Sequence, residues 1–221
     1  MRFLHTADWH LGRIFYGQYL TEDQAHVLEH QFFNILKDEN IDGILLAGDI
    51  FDRAVPPIEA IELWDSIITR LAMDYKVPLF VVSGNHDGAE RLEVGRSMLG
   101  QSGIHIWGSP HHALKPFEFE GTDGKVAICP MPFSEPRRIG EALFADVEST
   151  NTETTDTEIA DIATQRYEQN CESALNLHNY DQMYQAWSDY LYKQVPKGMR
   201  SIAISHAFVM GGEVGGSERT L

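Results

Sequence analysis

The chain predicts an α/β fold of two β-sheets flanked by helices, and three observations carry that expectation. Short apolar runs such as Ile44-Leu45-Leu46-Ala47 and Leu79-Phe80-Val81-Val82 alternate with helical stretches over the first hundred residues, as parallel strands joined by crossover helices do. After Gly103 the texture changes to short runs separated by Gly and Pro turns, which suggests a second, more antiparallel sheet. At 221 residues with 43% hydrophobic content, the chain is long enough for a single domain with a large core.

Residues 1–6 read as the first strand, and residues 8–19 as a loop broken by Gly12 and Gly17. Thr21 opens a helix. It offers a hydroxyl N-cap, Glu22 and Asp23 lie in the first turn, and Gln24 sits at the capping-box position. Val27, Leu28, Phe32, Ile35 and Leu36 continue that helix to about Asp38. Residues 42–48 form the second expected strand. Pro56-Pro57 opens the next helix, with Ile61, Trp64, Ile68 and Leu71 as its apolar stripe. A third strand over 77–83 and a helix over 89–99 follow.

The stretches 104–107, 114–119 and 125–129 are expected strands of the second sheet, with turns at 108–110 and 121–124. Residues 147–197 read as a variable helical insertion. Its polar, low-complexity stretch 150–157 is expected to be mobile. Helices are expected over 158–177 and 180–194, the second packing Tyr184, Trp187, Tyr190 and Tyr192 onto the body. Residues 199–205 read as a last buried strand ending in His206, before a glycine-rich tail.

Bulk properties limit the function classes. No apolar run approaches the roughly 20 residues needed to span a bilayer, and the N-terminus lacks a signal-peptide layout. Cys129 and Cys171 are far apart and outside any metal spacing, so both are expected to be reduced thiols of a cytoplasmic protein. The formal net charge of −16 argues against a broad basic nucleic-acid face. Any grip on a polyanion must come from local arginines, from metals or from a partner.

The chemistry sits at three strand exits. The first leads into Asp8-Trp9-His10, the second into Gly48-Asp49-Ile50-Phe51-Asp52-Arg53, and the third into Gly84-Asn85-His86-Asp87. Catalytic groups of open α/β sheets gather at such carboxyl ends. Carboxylate, amide and imidazole with no thiolate suit Mn²⁺, Fe²⁺ or Zn²⁺ in a two-metal hydrolytic centre.

The order Asp8-x-His10, Gly48-Asp49-x-x-Asp52, Gly84-Asn85-His86-Asp87 and then His206 resembles the calcineurin-like metallophosphoesterase superfamily. The segments 5–12, 47–53, 84–87, 129–133 and 205–213 are similar to SbcD/Mre11-like nuclease subunits within it. The resemblance implies a metallophosphoesterase sandwich, α/β/β/α, of two mixed β-sheets. It also implies two Mn²⁺ ions, with Mg²⁺, Fe²⁺ or Zn²⁺ as alternatives. Asp8 and His10 would hold one metal, Asn85 and His206 the other, and Asp49 would bridge them. His86 would stabilise the transition state or protonate the leaving 3′ oxygen, Asp52 would orient His86, and Arg53 would reach a phosphate. The activity implied is 3′–5′ exonuclease and single-strand or hairpin endonuclease action on DNA during break processing. The partners implied are an SbcC/Rad50-like ATPase subunit and a second copy of the chain. Ile61, Trp64 and Ile68 with Leu92 and Met98 are the candidate dimer face.

Other readings stand beside these. Asp49 can cap its own turn, Asp87 can cap the following helix or support the site, and Asp52 with Arg53 can form a plain ion pair. His206 can be a satisfied core or loop histidine. His26, His30, His111 and His112 read as solvated, and Arg137 and Arg138 as contacts to a DNA backbone or as solvated cations. The superfamily motif Gly-His-x-His, which completes both metal shells, does not occur in the sequence. The expectation is therefore a truncated domain over 1–221 lacking the last strands of its second sheet. A metallophosphatase, a cyclic-nucleotide phosphodiesterase or an inactive assembly module are the rival functions.

Overall fold

The computed structural model describes residues 1–151 and 180–207, without the side chains of 147–151. The expected helix over 158–177, Cys171, the polar stretch 152–157 and the glycine-rich tail lie outside the described residues.

The first sheet has the order β1 (Phe3–Thr6), β4 (Gly43–Ala47), β5 (Leu79–Val82), β6 (Ile104–Trp107), and every pairing is parallel. Between β1 and β4 a small hairpin forms from β2 (Ile14–Phe15) and β3 (Gln18–Tyr19). The second sheet has the order β7 (Phe117–Gly121), β8 (Gly124–Met131), β9 (Arg200–Ser205), antiparallel and then parallel. Strand 104–107 thus belongs to the first sheet and not to the second. The helical residues before it make one more crossover unit, so it docks parallel beside β5. The hairpin replaces part of the expected 8–19 loop; its strands are only two residues long and expose every residue, so they carry no apolar alternation. The 114–119 strand begins at Phe117, after a 3₁₀ turn over Pro110–His112.

Burial follows position in the sheet. β4 and β5 are central and wholly buried, whereas β1 lies at an edge and is half-buried. β9 departs from the expected burial: Ser201 and Ala203 are not enclosed, and Ile204 is its fully buried residue. In the described residues it too is an edge strand.

Helix α1 covers residues 21–38, with a π-helical turn at Leu28–Phe32 between Thr21–Val27 and Phe33–Asp38. α2 (Ile58–Arg70) also runs into a π turn, Leu71–Tyr75, which Lys76 ends in the left-handed conformation. α3 (Ala89–Leu92) and α4 (Arg96–Gln101) are short. α5 is Pro136–Asn151 and α6 is Tyr180–Gln194.

Two apolar clusters give the α/β/β/α layering. Ile44, Leu46, Leu79 and Val81 on one face of the first sheet pack with Phe33 of α1 and Trp64 of α2. Leu45, Phe80 and Val82 on the other face join Ile128 and Met131 of β8, Leu143 of α5 and Trp187 of α6. Trp187 is fully buried and donates its indole N–H to the Ala113 carbonyl at 3.1 Å. It anchors α6, while Tyr192 at the far end of that helix is exposed. Trp64, Ile68 and Leu92 are core residues, so of the candidate dimer face only Ile61 and Met98 are exposed. No described helix is long and apolar enough to cross a membrane.

Candidate metal centre

The first two strand exits leave together. Beyond the β1–β4 pairing, Asp8 N–H donates to the Gly48 carbonyl at 3.1 Å, His10 N–H to Asp49 at 2.9 Å and Leu11 N–H to Ile50 at 2.9 Å. This register turns both chains sharply. Asp8 (φ 56°), His10 (φ 45°) and Asp49 (φ 50°) all adopt the left-handed region. Non-glycine residues adopt it at a cost, and such strain gathers at functional sites. Gln24 holds the first loop in place. Its amide donates to the carbonyls of Trp9 at 2.9 Å and His10 at 2.8 Å, and its oxygen accepts the Gly12 N–H at 3.1 Å. The expected capping box at the start of α1 is therefore absent: Thr21 makes no cap, and Gln24 serves the loop instead.

Asp49 is the centre of the site and only 3% exposed. Its Oδ1 accepts the His86 backbone N–H at 2.9 Å. Its Oδ2 lies 3.6 Å from His10 Nε2 and 3.6 Å from His206 Nε2. Two neighbouring glycines make room. A Cβ on Gly84 would fall 2.0 Å from Asp49 Oδ1, and one on Gly48 (φ 82°) would fall 2.4 Å from the His206 ring. Both glycines are required by close approach.

His206 reaches the first sheet from the end of β9. Its Nδ1 donates to the Ala47 carbonyl at 2.9 Å, so in the neutral ring Nε2 carries a bare lone pair. That lone pair faces Asn85 Oδ1 at 3.1 Å, an acceptor opposite an acceptor. A cation between them removes the repulsion, and an Nδ1–H bound to a backbone carbonyl is how a metal-ligating histidine is usually held.

Two groups of side chains converge within 4.8 Å and share Asp49: His10, Asp49 and His86, and Asp8, Asp49 and His206. Asn85 adjoins the second. The grouping differs from the expected one, since Asp8 faces Asp49 and His206 as well as His10, which lies 3.9 Å away. Hard oxygens with imidazole fit a divalent cation of the Mn²⁺ to Zn²⁺ range.

His86 is exposed at the mouth of the site, its ring edge-on to His10 with centroids 4.9 Å apart. Residue 52 holds it through the backbone: His86 Nδ1 donates to the Asp52 carbonyl at 2.8 Å. The Asp52 carboxylate faces His10 instead, with Oδ1 3.5 Å from His10 Nδ1. That nitrogen is buried and has no hydrogen-bond partner of normal geometry. Arg53 is exposed, and no described carboxylate pairs with it.

Asp87 supports the loops and caps no helix. Gly88 occupies the cap of α3, and the Asp87 carboxylate accepts N–H groups of Gly84 at 2.8 Å, Phe51 at 2.9 Å and Ile50 at 3.2 Å. It thus ties the second exit to the third. Burial pushes its carboxyl above the ordinary range against the pull of those three donors, and the nearby Asp49 charge adds to the rise. Arg137 pairs with Glu141 at 2.9 Å and Arg138 with Glu90 at 2.5 Å, so both arginines are engaged on the surface.

The sequence is similar to the SbcD subunit of the SbcCD nuclease of Staphylococcus saprophyticus subsp. saprophyticus, with 40% identity over 134 residues. That alignment takes in 61% of this chain and 34% of the relative, so the match spans about a third of the relative's length. The family model for calcineurin-like phosphoesterases matches residues 1–196, and with the motif-bearing strand exits brought to one edge, the chain belongs to the calcineurin-like phosphoesterase family.

Proposed function

We propose that this chain is the catalytic portion of a Mn²⁺-dependent DNA nuclease that hydrolyses phosphodiesters at a two-metal centre. The observation that carries this reading is the buried Asp49 carboxylate, which is shared by two ligand groups and faces His10 and His206 at equal distance. When bound, two cations would supply Lewis acidity toward the phosphate and lower the pKa of a water, so that it could lose its proton near neutral pH. His10 with Asp49 lines one side, Asp8, Asn85 and His206 with Asp49 line the other, and His86 stands at the mouth beside His10. Asp49 belongs to both, as a bridging ligand must.

The chain's own groups then divide the work. His206 is fixed in the Nε2-ligating tautomer by Ala47. His86 keeps its Nδ1 proton on the Asp52 carbonyl and presents Nε2 to solvent, where an imidazolium proton is deliverable to the departing oxygen. The Asp52 carboxylate orients His10. Arg53, exposed beside these groups, supplies a guanidinium for a substrate phosphate.

The similarity to an SbcD nuclease component supports action on DNA ends with an SbcC-like ATPase partner in the cytoplasm. Exposed Ile58, Ile61 and Met98 are the surface we assign to homodimerisation. A metallophosphatase would use the same ligands, and substrate choice separates the two. With Mn²⁺, the protein should hydrolyse bis-p-nitrophenyl phosphate and degrade linear DNA, and Asp49→Asn should lower both rates by roughly a thousandfold or more. His86→Gln should lower kcat by about a hundredfold and leave Mn²⁺ affinity within a few fold. Hydrolysis of phosphomonoesters alone would overturn the nuclease reading.

A further inference from the structure

The hairpin β2–β3 follows His10 by four residues and is built unlike a structural hairpin. Its tip is Tyr16-Gly17, with φ 47° and 81°. A two-residue turn with both φ positive favours Asn or Asp at its first position, and a bulky ring there is costly. Burial does not compensate: Tyr16 is 92% exposed, Phe15 55% and Tyr19 67%. The Phe15 and Tyr16 rings meet edge to face at 4.6 Å, so each holds the other's orientation. Neither backbone preference nor core packing accounts for a tyrosine at position 16.

The hairpin is tied to the metal centre. Arg13 N–H donates to the His10 carbonyl at 3.1 Å, Leu20 N–H closes the base onto Arg13 at 2.9 Å, and Gln24 holds Gly12 and His10 from behind. Six residues from His10 put Tyr16 no more than about 20 Å away. The local charge also departs from the rest of the chain. Residues 11–20 contain Arg13 and no carboxylate, in a chain with 33 acidic and 17 basic side chains. Arg13 is exposed, and no described carboxylate pairs with it.

We infer that the Phe15–Tyr16 hairpin is a stacking platform for unpaired nucleobases, and that it holds a single-stranded segment beside the metal centre. The inference rests on the reading of that centre as a nucleic-acid phosphodiesterase and adds to the Arg53 phosphate contact a grip on the bases. A chain with net charge −16 cannot rely on long-range attraction to a polyanion. Stacking on aromatic rings is insensitive to base identity and contributes at any salt concentration. Arg13 adds one local phosphate contact.

The test is fluorescence anisotropy with a short labelled oligothymidylate, in chelator so that no cleavage competes. The whole protein is compared with Phe15→Ser/Tyr16→Ser, two exposed changes outside the core. The expected result is an affinity loss of at least about tenfold with an unchanged salt slope. An abasic oligonucleotide should bind the wild type as weakly as the thymidylate binds the variant. The same pair is then assayed with Mn²⁺ on bis-p-nitrophenyl phosphate, where the variant should keep its rate within about twofold. Equal affinity of wild type and variant overturns the platform, as does wild-type binding indifferent to the loss of bases. Unchanged affinity together with a shift from dimer to monomer on sedimentation would make the hairpin a protein interface instead. Hairpin-dependent binding without any diester turnover keeps the platform and overturns the phosphodiesterase reading.

Discussion

At Gly84 one missing methyl group decides the geometry of the centre. A Cβ there would meet the Asp49 carboxylate at 2.0 Å and the Asp49 backbone nitrogen at 2.3 Å. The second contact is with backbone, so side-chain rotation cannot relieve it. Gly84→Ala should therefore displace the second strand exit from the third, break the His86 N–H to Asp49 bond, and cost about 1–3 kcal/mol of stability as overpacking does. Calorimetry should show Mn²⁺ affinity falling by at least about tenfold, with the denaturation midpoint lowered. Native affinity would mean that the loop has slack which the distances do not suggest. At this scale the sequence is a good guide to identity and a poor one to contacts. Asp8, His10, Asp49, Asn85 and His206 are recognisable because each follows an apolar strand at fixed spacing. That Asp52 offers its carbonyl to His86 and its carboxylate to His10 depends on the path of the 49–53 turn, which spacing does not encode. Gln24 carries a misleading signal, because a capping-box position and a loop support at the start of a helix look alike in one dimension.

At the scale of elements, periodicity locates the helices and central strands but not their neighbours. β4 and β5 are legible because both faces are buried and the runs are apolar throughout. Strand 104–107 falls into the wrong sheet on sequence alone because an apolar strand of four residues carries no mark of its partner; that depends on the hand of the connection before it. Helix α6 shows what the aromatics near the chain's end contribute. Trp187 is its buried anchor, and Tyr184, half-buried on the same helix, has its hydroxyl beside the Ser134 backbone and Ser205, the residue before His206. Burial pushes the Tyr184 hydroxyl up to about 12 from its ordinary 10, and the nearby Ser134 and Ser205 groups offset only part of that. A raised acid pKa in the folded state means that the unfolded chain releases this proton more readily. The contribution is intact below about pH 10 and is lost as pH rises from 10 through 12. Tyrosinate absorbance should show one tyrosine ionising late, together with loss of near-ultraviolet dichroism. Tyr184→Phe should remove that late step and unfold over a less steep alkaline range. A Tyr184 that titrates with the exposed tyrosines would sink this account.

Across the whole molecule, the two sheets meet at the candidate metal centre. Asp8, His10, Asp49 and Asn85 hang from exits of the first sheet, and His206 hangs from β9 of the second. The ring of His206 already crosses the gap by donating to Ala47. Cations held by both sets would therefore act as a clip between sheets, and their binding energy would add to the stability of the native state alone. At a free Mn²⁺ concentration about a hundredfold above its dissociation constant, that linkage is worth roughly 2.7 kcal/mol. For a domain of this size each kcal/mol raises Tm by about 2–4 °C, so saturating Mn²⁺ should raise Tm by about 5–10 °C and a chelator should reverse it. Asp49→Asn should abolish the shift, because both ligand groups use that carboxylate. His206→Ala should remove most of it while sparing the ligands on the first sheet. A small, equal shift in wild type and both variants would show that Mn²⁺ binds elsewhere, on the acidic surface of a chain with 33 Asp and Glu residues. A large shift that survives His206→Ala but not Asp49→Asn would mean that the cations are held by the first sheet alone, and the clip between sheets would fall with it.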